Sequence, residues 1–355
     1  MKVCVYAICK NESKFILRWL DSMKEADKIF VLDTGSLDSS VSLLKENGVI
    51  VKEKKFDNFR FDDARNLSLE MVDKDTDICV CSDIDEVFEK GWREKLEKVW
   101  ENGVTRASYT YNWRIENDRP IVSFYSDKIH AYGMYKWTHP VHEVLMCEGN
   151  ERKVLCEDIV LNHFPDDKKS RSSYLKLLEL SVKEDPLDDR NMHYFGREYM
   201  YYGKYKKAIK TLKKHLLLEK ATWADERCAS MRFIGRCYKY LNDNYEAIKW
   251  YLKAISEAPH LREGYGELGI LYYEMEKYEE AVFYLLKAAG IKKNYKTYIT
   301  EYFCQDFYLY DVISVCLYNI GKYKDALVYV CRALDILKDD RILNNKKLIL
   351  EKIDD

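Results

Sequence analysis

The stretch that decides the fold is Ile78-Cys79-Val80-Cys81-Ser82-Asp83-Ile84-Asp85-Glu86. Four apolar residues with a β-branched bias read as a buried strand, and the polar run after them reads as its carboxyl end. Upstream, Val3 to Ile8, Lys28 to Leu32 and Val49 to Val51 are also strand-like. Between them lie helical patterns at Phe15 to Met23, Ser39 to Glu46 and Asp62 to Val72. Strand–helix alternation of this kind predicts a parallel sheet with helices on its faces. Ligands of such sheets bind beyond the strands' carboxyl ends. That rule selects Lys10-Asn11-Glu12, Asp33-Thr34-Gly35-Ser36 and the acidic segment at 82–86.

From about 105 to 163 the pattern changes. Ala107 to Ile115, Ile121 to Tyr125, Ile129 to Tyr132 and Val154 to Asn162 are expected to add an antiparallel portion of sheet. Trp137-Thr138-His139-Pro140-Val141-His142-Glu143 falls in a loop. After Pro165 the chain turns helical, with Asp166-Asp167 placed to cap a helix starting near Lys168. Further on, Gly196, Tyr199 and Ala208 recur with identical offsets as Gly235, Tyr238, Ala247 and as Gly269, Tyr272, Ala281. A degenerate fourth unit has Ser314, Leu317 and Ala326. Small residues where paired helices cross, with an aromatic between them, are the mark of tetratricopeptide-like repeats. Unequal intervals between the alanines predict insertions, notably around Asn294 to Asp306. The expected organisation is an α/β domain at 1–165, a linker helix at 166–189 and helical repeats at 190–355.

Composition sets limits. Of 355 residues, 47% are hydrophobic and 33% charged, which suits two globular domains rather than a disordered chain. Fifty-eight basic against sixty acidic side chains leave a net charge of −2, which excludes the basic footprint of a duplex nucleic-acid binder. No apolar stretch is long enough to span a bilayer, and the first apolar run breaks at Lys10, so a cytoplasmic protein is expected. Eleven cysteines without a CxxC pair read as buried small hydrophobes rather than zinc ligands.

In an extended segment Asp83 and Asp85 would point to one side, a pair of hard oxygen donors suited to Mg²⁺ or Mn²⁺ on a diphosphate. Asp33 and Thr34 end a strand before a tight turn at Gly35, where they either shape the turn or accept from a nucleotide. Arg65 and Asn66 sit near the start of a helix, either on the surface or reaching into the cleft, where an arginine suits a diphosphate.

Taken together, Ala7-Ile8-Cys9-Lys10-Asn11-Glu12, Val31-Leu32-Asp33-Thr34-Gly35-Ser36-Leu37-Asp38, Asp63-Ala64-Arg65-Asn66 and Asp83-Ile84-Asp85-Glu86 resemble family 2 glycosyltransferases of the GT-A fold, a Rossmann-like mixed sheet. With helical repeats behind it, the chain is similar to the bacterial branch that includes peptide S-glycosyltransferases of glycosylated bacteriocins. The resemblance implies inverting transfer from a nucleotide-sugar, UDP-sugar favoured, to a peptide, protein or glycan. It places Ala7, Ile8, Asn11, Glu12, Asp33, Thr34, Gly35, Arg65, Asn66, Asp83 and Ile84 around the donor. A divalent metal, Mn²⁺ or Mg²⁺, would be held by Asp83, Asp85 and His163. Glu143 is the implied general base, with His142 as neighbour or alternate. Thr34 departs from the family pattern, in which many relatives carry a second Asp. The repeats offer a partner surface or a homodimer contact. The alternative is a repeat-based binding protein with a degenerate sugar-nucleotide domain. A nucleotidyltransferase would show a Gly-rich phosphate loop near the first strand, and Lys10-Asn11-Glu12 is not one.

Overall fold

The computed structural model describes residues 1–166, 173–292 and 296–354. The chain divides into two compact units, 1–181 and 182–355.

The first unit is built on an eight-stranded mixed sheet. Strands β1 (Val3–Cys9), β2 (Lys28–Asp33), β3 (Ile50–Glu53) and β4 (Ile78–Cys81) run parallel in the order β3-β2-β1-β4. Helices α1 (Ser13–Met23), α2 (Ser40–Glu46) and α3 (Phe61–Leu69) connect them. Alternate side chains of β1 serve opposite faces, as the pleat requires. Val3, Val5 and Ala7 join Ile16 and Trp19 in one core, while Cys4 and Tyr6 join Phe30, Cys79 and Cys81 in another. Burial on both faces explains why these strands read as continuous apolar runs. Cysteines 4, 9, 79 and 81 are free and buried, as expected of small hydrophobes.

The sheet continues through β7 (Arg119–Ala131), β6 (Arg106–Glu116), β10 (Lys153–His163) and β5 (Glu86–Phe88). Helix α4 (Trp92–Val99) follows β5, and β8 (Tyr135–Thr138) and β9 (Val144–Cys147) form a separate hairpin. Three expectations are corrected. Ile121 to Ala131 lies within one long strand rather than two, because pairing with β6 resumes after a register shift between Ser126 and Ile129. The added sheet is also not wholly antiparallel, since β10 runs parallel to β6. The expected helix from Asp62 to Val72 ends at Leu69.

The expected start of the linker helix at Asp167 and Lys168 lies outside the described residues. The next helix is α5 (Tyr174–Glu184), after which α6 (Asp189–Tyr201) begins on an Asp188 side-chain cap.

Beyond it, α6 pairs with α7 (Tyr205–His215), α8 (Ala224–Tyr240) with α9 (Asn244–Glu257), α10 (Arg262–Glu274) with α11 (Tyr278–Gly290), and α12 (Phe307–Asn319) with α13 (Tyr323–Ile336). Helix α14 (Asp340–Asp354) follows. The recurring glycines have a measurable cause. A Cβ at Gly196, Gly235 or Gly269 would lie 2.5, 2.6 or 2.6 Å from Leu212, Tyr251 or Leu285, each sixteen residues on in the partner helix. Seven residues after each small residue the chain takes a left-handed turn, at Gly203, Asn242, Glu276 and Gly321.

Two outcomes follow from these positions. Glu276→Gly relieves a side chain from a left-handed φ of 59° and should stabilise the second unit by about 1 kcal/mol in chemical denaturation. Gly235→Ala should cost about 1–3 kcal/mol, because the Tyr251 ring has to move.

Candidate active site

The order β3-β2-β1-β4 puts a switch point at the carboxyl ends of β1 and β4, where a ligand crevice forms. At the β1–β2 side, Asn11 adopts a left-handed φ of 56°. Its amide accepts from the Leu37 N–H at 2.7 Å, and its own N–H donates to the Ser36 hydroxyl at 2.8 Å. The Glu12 N–H donates to Ser40 Oγ at 2.8 Å. Asp33 is turned onto its own loop, accepting from the Gly35 and Ser36 N–H groups at 2.9 Å and from the Ser36 hydroxyl. Thr34 is spent on the carbonyl of Cys9, to which its hydroxyl donates at 3.1 Å. Ala7 and Ile84 are core side chains, so only their backbones can face a ligand.

The second cluster centres on Arg65, on the buried face of α3. Its Nη2 donates to Asp83 Oδ1 at 2.7 Å, its Nε donates to Glu143, and its guanidinium lies 5.2 Å from the Trp137 ring. On the far side of Asp83, Lys128 Nζ reaches Oδ2 at 3.0 Å and Glu86 Oε1 at 3.4 Å. Burial opposes ionisation of Asp83, but Arg65 and Lys128 outweigh it and hold this carboxyl well below the usual range. Glu86, buried with Asp83 beside it, is pushed up despite Lys128. Burial also lifts the Cys81 thiol to about 11, so it accepts from Arg65 as a neutral group.

Three residues of α3 fasten the end of β8 and the loop after it that carries Glu143; Trp137 and Thr138, expected in that loop, belong to β8, where they pair with β9. The Phe61 N–H donates to the Pro140 carbonyl at 3.0 Å. Asn66 makes a reciprocal pair with the Trp137 backbone, both bonds at 2.8 Å. Arg65 takes the Glu143 carboxylate itself. Within this loop His139 and His142 hold left-handed φ angles of 77° and 53°, a conformation that costs a non-glycine residue about 1 kcal/mol or more. The His142 ring packs 5.7 Å from Tyr174.

The extended Asp83–Asp85 segment expected from the sequence is not formed. The Glu86 N–H donates to the Asp83 carbonyl at 3.1 Å, closing a turn that sends the two carboxylates to different partners. Asp85 lies 3.6 Å from His163 Nε2, whose Nδ1 faces the Trp113 carbonyl at 3.1 Å. Burial would lower the His163 pKa, but Asp85 and its other acidic neighbours raise it. Asp85 and His163 thus offer a carboxylate and an imidazole to a hard cation, with the imidazole oriented from behind. Asp83 is not gathered with them. Among the described residues the only trio of such donors within 4.8 Å of one another is Asp189, His215 and Glu226, in the second unit.

Sequence reasoning did not single out Lys128. Its signal is a cation near the end of a strand that pairs with β4, two residues before the buried His130. That histidine closes a relay under the site. Trp137 Nε1 donates to the Tyr6 hydroxyl at 2.9 Å, Tyr6 donates to His130 Nε2 at 2.8 Å, and Nδ1 meets the Ala131 carbonyl at 2.9 Å.

Residues 4–144 match the model of Glycosyl transferase family 2, and residues 233–261 and 263–295 match that of the tetratricopeptide repeat. The chain thus carries a family 2 glycosyltransferase domain followed by tetratricopeptide repeats. That domain marks the chain as a glycosyltransferase. No curated protein sequence matches it. Solved structures similar to it include MamA, 21% identical over 46% of this chain and 81% of that one, with a TM-score of 0.36. YrrB, described as a TPR protein with an unusual peptide-binding site, is 16% identical over 50% and 84%, with a TM-score of 0.40. A MamA fragment from Desulfovibrio magneticus RS-1 is 14% identical over 46% and 84%, with a TM-score of 0.37. Among the described residues no helix is long and apolar enough to cross a membrane.

Removing the guanidinium in Arg65→Ala leaves Glu143 and Asp83 short of their shared buried cation. Unfolding of the first unit in denaturant should become easier by about 3 kcal/mol. Burial lowers the His130 pKa to about 4, below its unfolded value of about 6.5. The neutral ring therefore stabilises the fold fully above about pH 6.5, and this contribution is lost as pH falls towards 4. The loss should amount to roughly 3 kcal/mol in pH-dependent denaturation, and His130→Gln should flatten that limb.

Proposed function

We propose that this enzyme performs inverting, metal-dependent transfer from a nucleotide-sugar, UDP-sugar favoured, to a peptide, protein or glycan acceptor. The observation that carries this reading is the position of Arg65, one buried guanidinium bridging the acidic motif and Glu143. In the described state the Glu143 carboxylate is engaged by Arg65. An incoming diphosphate offers Arg65 a more highly charged bidentate partner. Its arrival would free Glu143 next to the reacting centre.

Arg65 and Lys128 would then face the diphosphate oxygens. Asp85 and His163 would hold Mn²⁺ or Mg²⁺, with Asp83 able to join once Arg65 turns away. The cation, when bound, stabilises negative charge on the departing diphosphate. The acceptor heteroatom forms its bond to the anomeric carbon on the face opposite the leaving group. The carbon–oxygen bond to the diphosphate breaks with its electron pair, and the acceptor's proton passes to Glu143. The Asn11, Glu12, Asp33 and Thr34 cluster forms the nucleoside end of the crevice. Because the Asp33 carboxylate is committed to its own turn and the Thr34 hydroxyl to the Cys9 carbonyl, recognition there falls to backbone groups and the side-chain NH2 of Asn11, whose amide oxygen already accepts from Leu37. His142 supports the loop from behind, against Tyr174.

UDP-, GDP- and dTDP-sugars, screened with each metal and read out as nucleotide release, test the reading. Asp85→Ala should abolish release while preserving the melting transition, and full activity of that variant without metal would contradict the proposal. Glu143→Gln should lower kcat by about 10²–10⁴-fold with donor still bound.

A further inference from the structure

Three metal-ligating side chains meet at one end of the second unit's first helices. Asp189 opens α6, His215 closes α7, and Glu226 lies in the first turn of α8. One ligand atom from each of the three lies within 4.8 Å of the others. His215 Nε2 stands 3.2 Å from Glu226 Oε1. His215 is fully buried and Glu226 nearly so, while Asp189 is half-buried and keeps the group within reach of solvent.

Helix-end electrostatics accounts for part of this. Acids in the first turns of α6 and α8, and a histidine in the last turn of α7, each suit the helix dipole. It does not account for two carboxylates held this close and largely out of water, since like charges at that range oppose each other's ionisation. A divalent cation between them removes the repulsion, and the imidazole completes a mixed set of nitrogen and oxygen donors.

The imidazole is also held as a ligand's would be. Ser230, fully buried on α8, has its hydroxyl 2.9 Å from His215 Nδ1 and 2.7 Å from Nδ1 of the buried His193. That hydroxyl can accept the His215 proton and donate its own to His193. His215 then keeps a lone pair on Nε2, the atom that faces Glu226. A hydrogen-bond partner behind the ligating nitrogen is what fixes ring orientation and basicity in metal sites. Glu226 is supported in the same way. The Tyr298 hydroxyl donates to its Oε2, which leaves Oε1 for a cation.

We propose that Asp189, His215 and Glu226 form a zinc site, each giving one atom to Zn²⁺, with water in a fourth position. One imidazole beside two carboxylates suits this borderline cation better than Mg²⁺ or Ca²⁺, which take oxygen ligands. Bound there, the ion fastens the ends of α6, α7 and α8 to one another. The site lies wholly within the second unit and holds whichever sugar the first unit transfers.

The test uses the full chain carrying Asp85→Ala, so that the first unit's own candidate ligand does not compete. After chelator treatment it is titrated with Zn²⁺ against a chromophoric chelator, and with Co²⁺ by visible absorption. One equivalent of Zn²⁺ should bind and raise the melting temperature. Co²⁺ should show the d–d bands of a four-coordinate nitrogen and oxygen site, without a thiolate charge-transfer band. Adding Asp189→Asn should weaken Zn²⁺ by about tenfold or more. Without metal that variant should melt no lower than its parent, because one of two like charges has gone. Glu226→Gln, added instead, should weaken Zn²⁺ likewise. Absence of Zn²⁺ binding by the Asp85→Ala chain, a thiolate-type Co²⁺ spectrum, or an affinity unchanged by Asp189→Asn would overturn the proposal.

Discussion

The first unit's site depends on one buried cation. Arg65 is almost wholly removed from water, and a guanidinium in that position requires anionic partners or its desolvation is uncompensated. Asp83 and Glu143 are those partners. They come from the end of β4 and from the loop between β8 and β9, parts of the chain that only α3 brings to one place. Lys128 holds the other oxygen of Asp83, so the acidic motif is balanced from two sides before any ligand arrives. In the proposed function that cleft takes a diphosphate, and pairing the cations internally stores the fixed positive charge it would need.

The same helix sets the shape of the loop. Phe61, Arg65 and Asn66 each tie a different point of residues 137–143, and two histidines there hold left-handed backbone angles. Strain of that kind persists only where surrounding contacts over-determine it. The relay from Trp137 through Tyr6 to His130 anchors the loop's beginning in the sheet. Glu143 is therefore presented from a fixed frame. What can change is its partner.

Much of this was legible in the sequence. The four parallel strands and the repeat spacing follow from local periodicity, and the repeat glycines answer to helix crossings that their offsets already encoded. The acidic motif was placed correctly at the end of β4, but its geometry was not legible. Whether Asp83 and Asp85 run extended or in a turn depends on Arg65, Lys128 and His163, which lie 18, 45 and 78 residues away from the carboxylates they meet. Lys128 was missed for the same reason, since a single cation in a strand acquires meaning only from its neighbour across the sheet. The parallel pairing of β10 with β6 likewise depends on a long-range choice of partner that alternation alone does not specify.

In the proposed mechanism Arg65 exchanges Glu143 for the donor's diphosphate. Calorimetric titration of UDP with Mn²⁺ into the unaltered protein and into Glu143→Gln tests it most directly. Removing the competing carboxylate charge should make UDP bind more tightly even as transfer is lost. Weaker or unchanged binding in that variant would contradict the account.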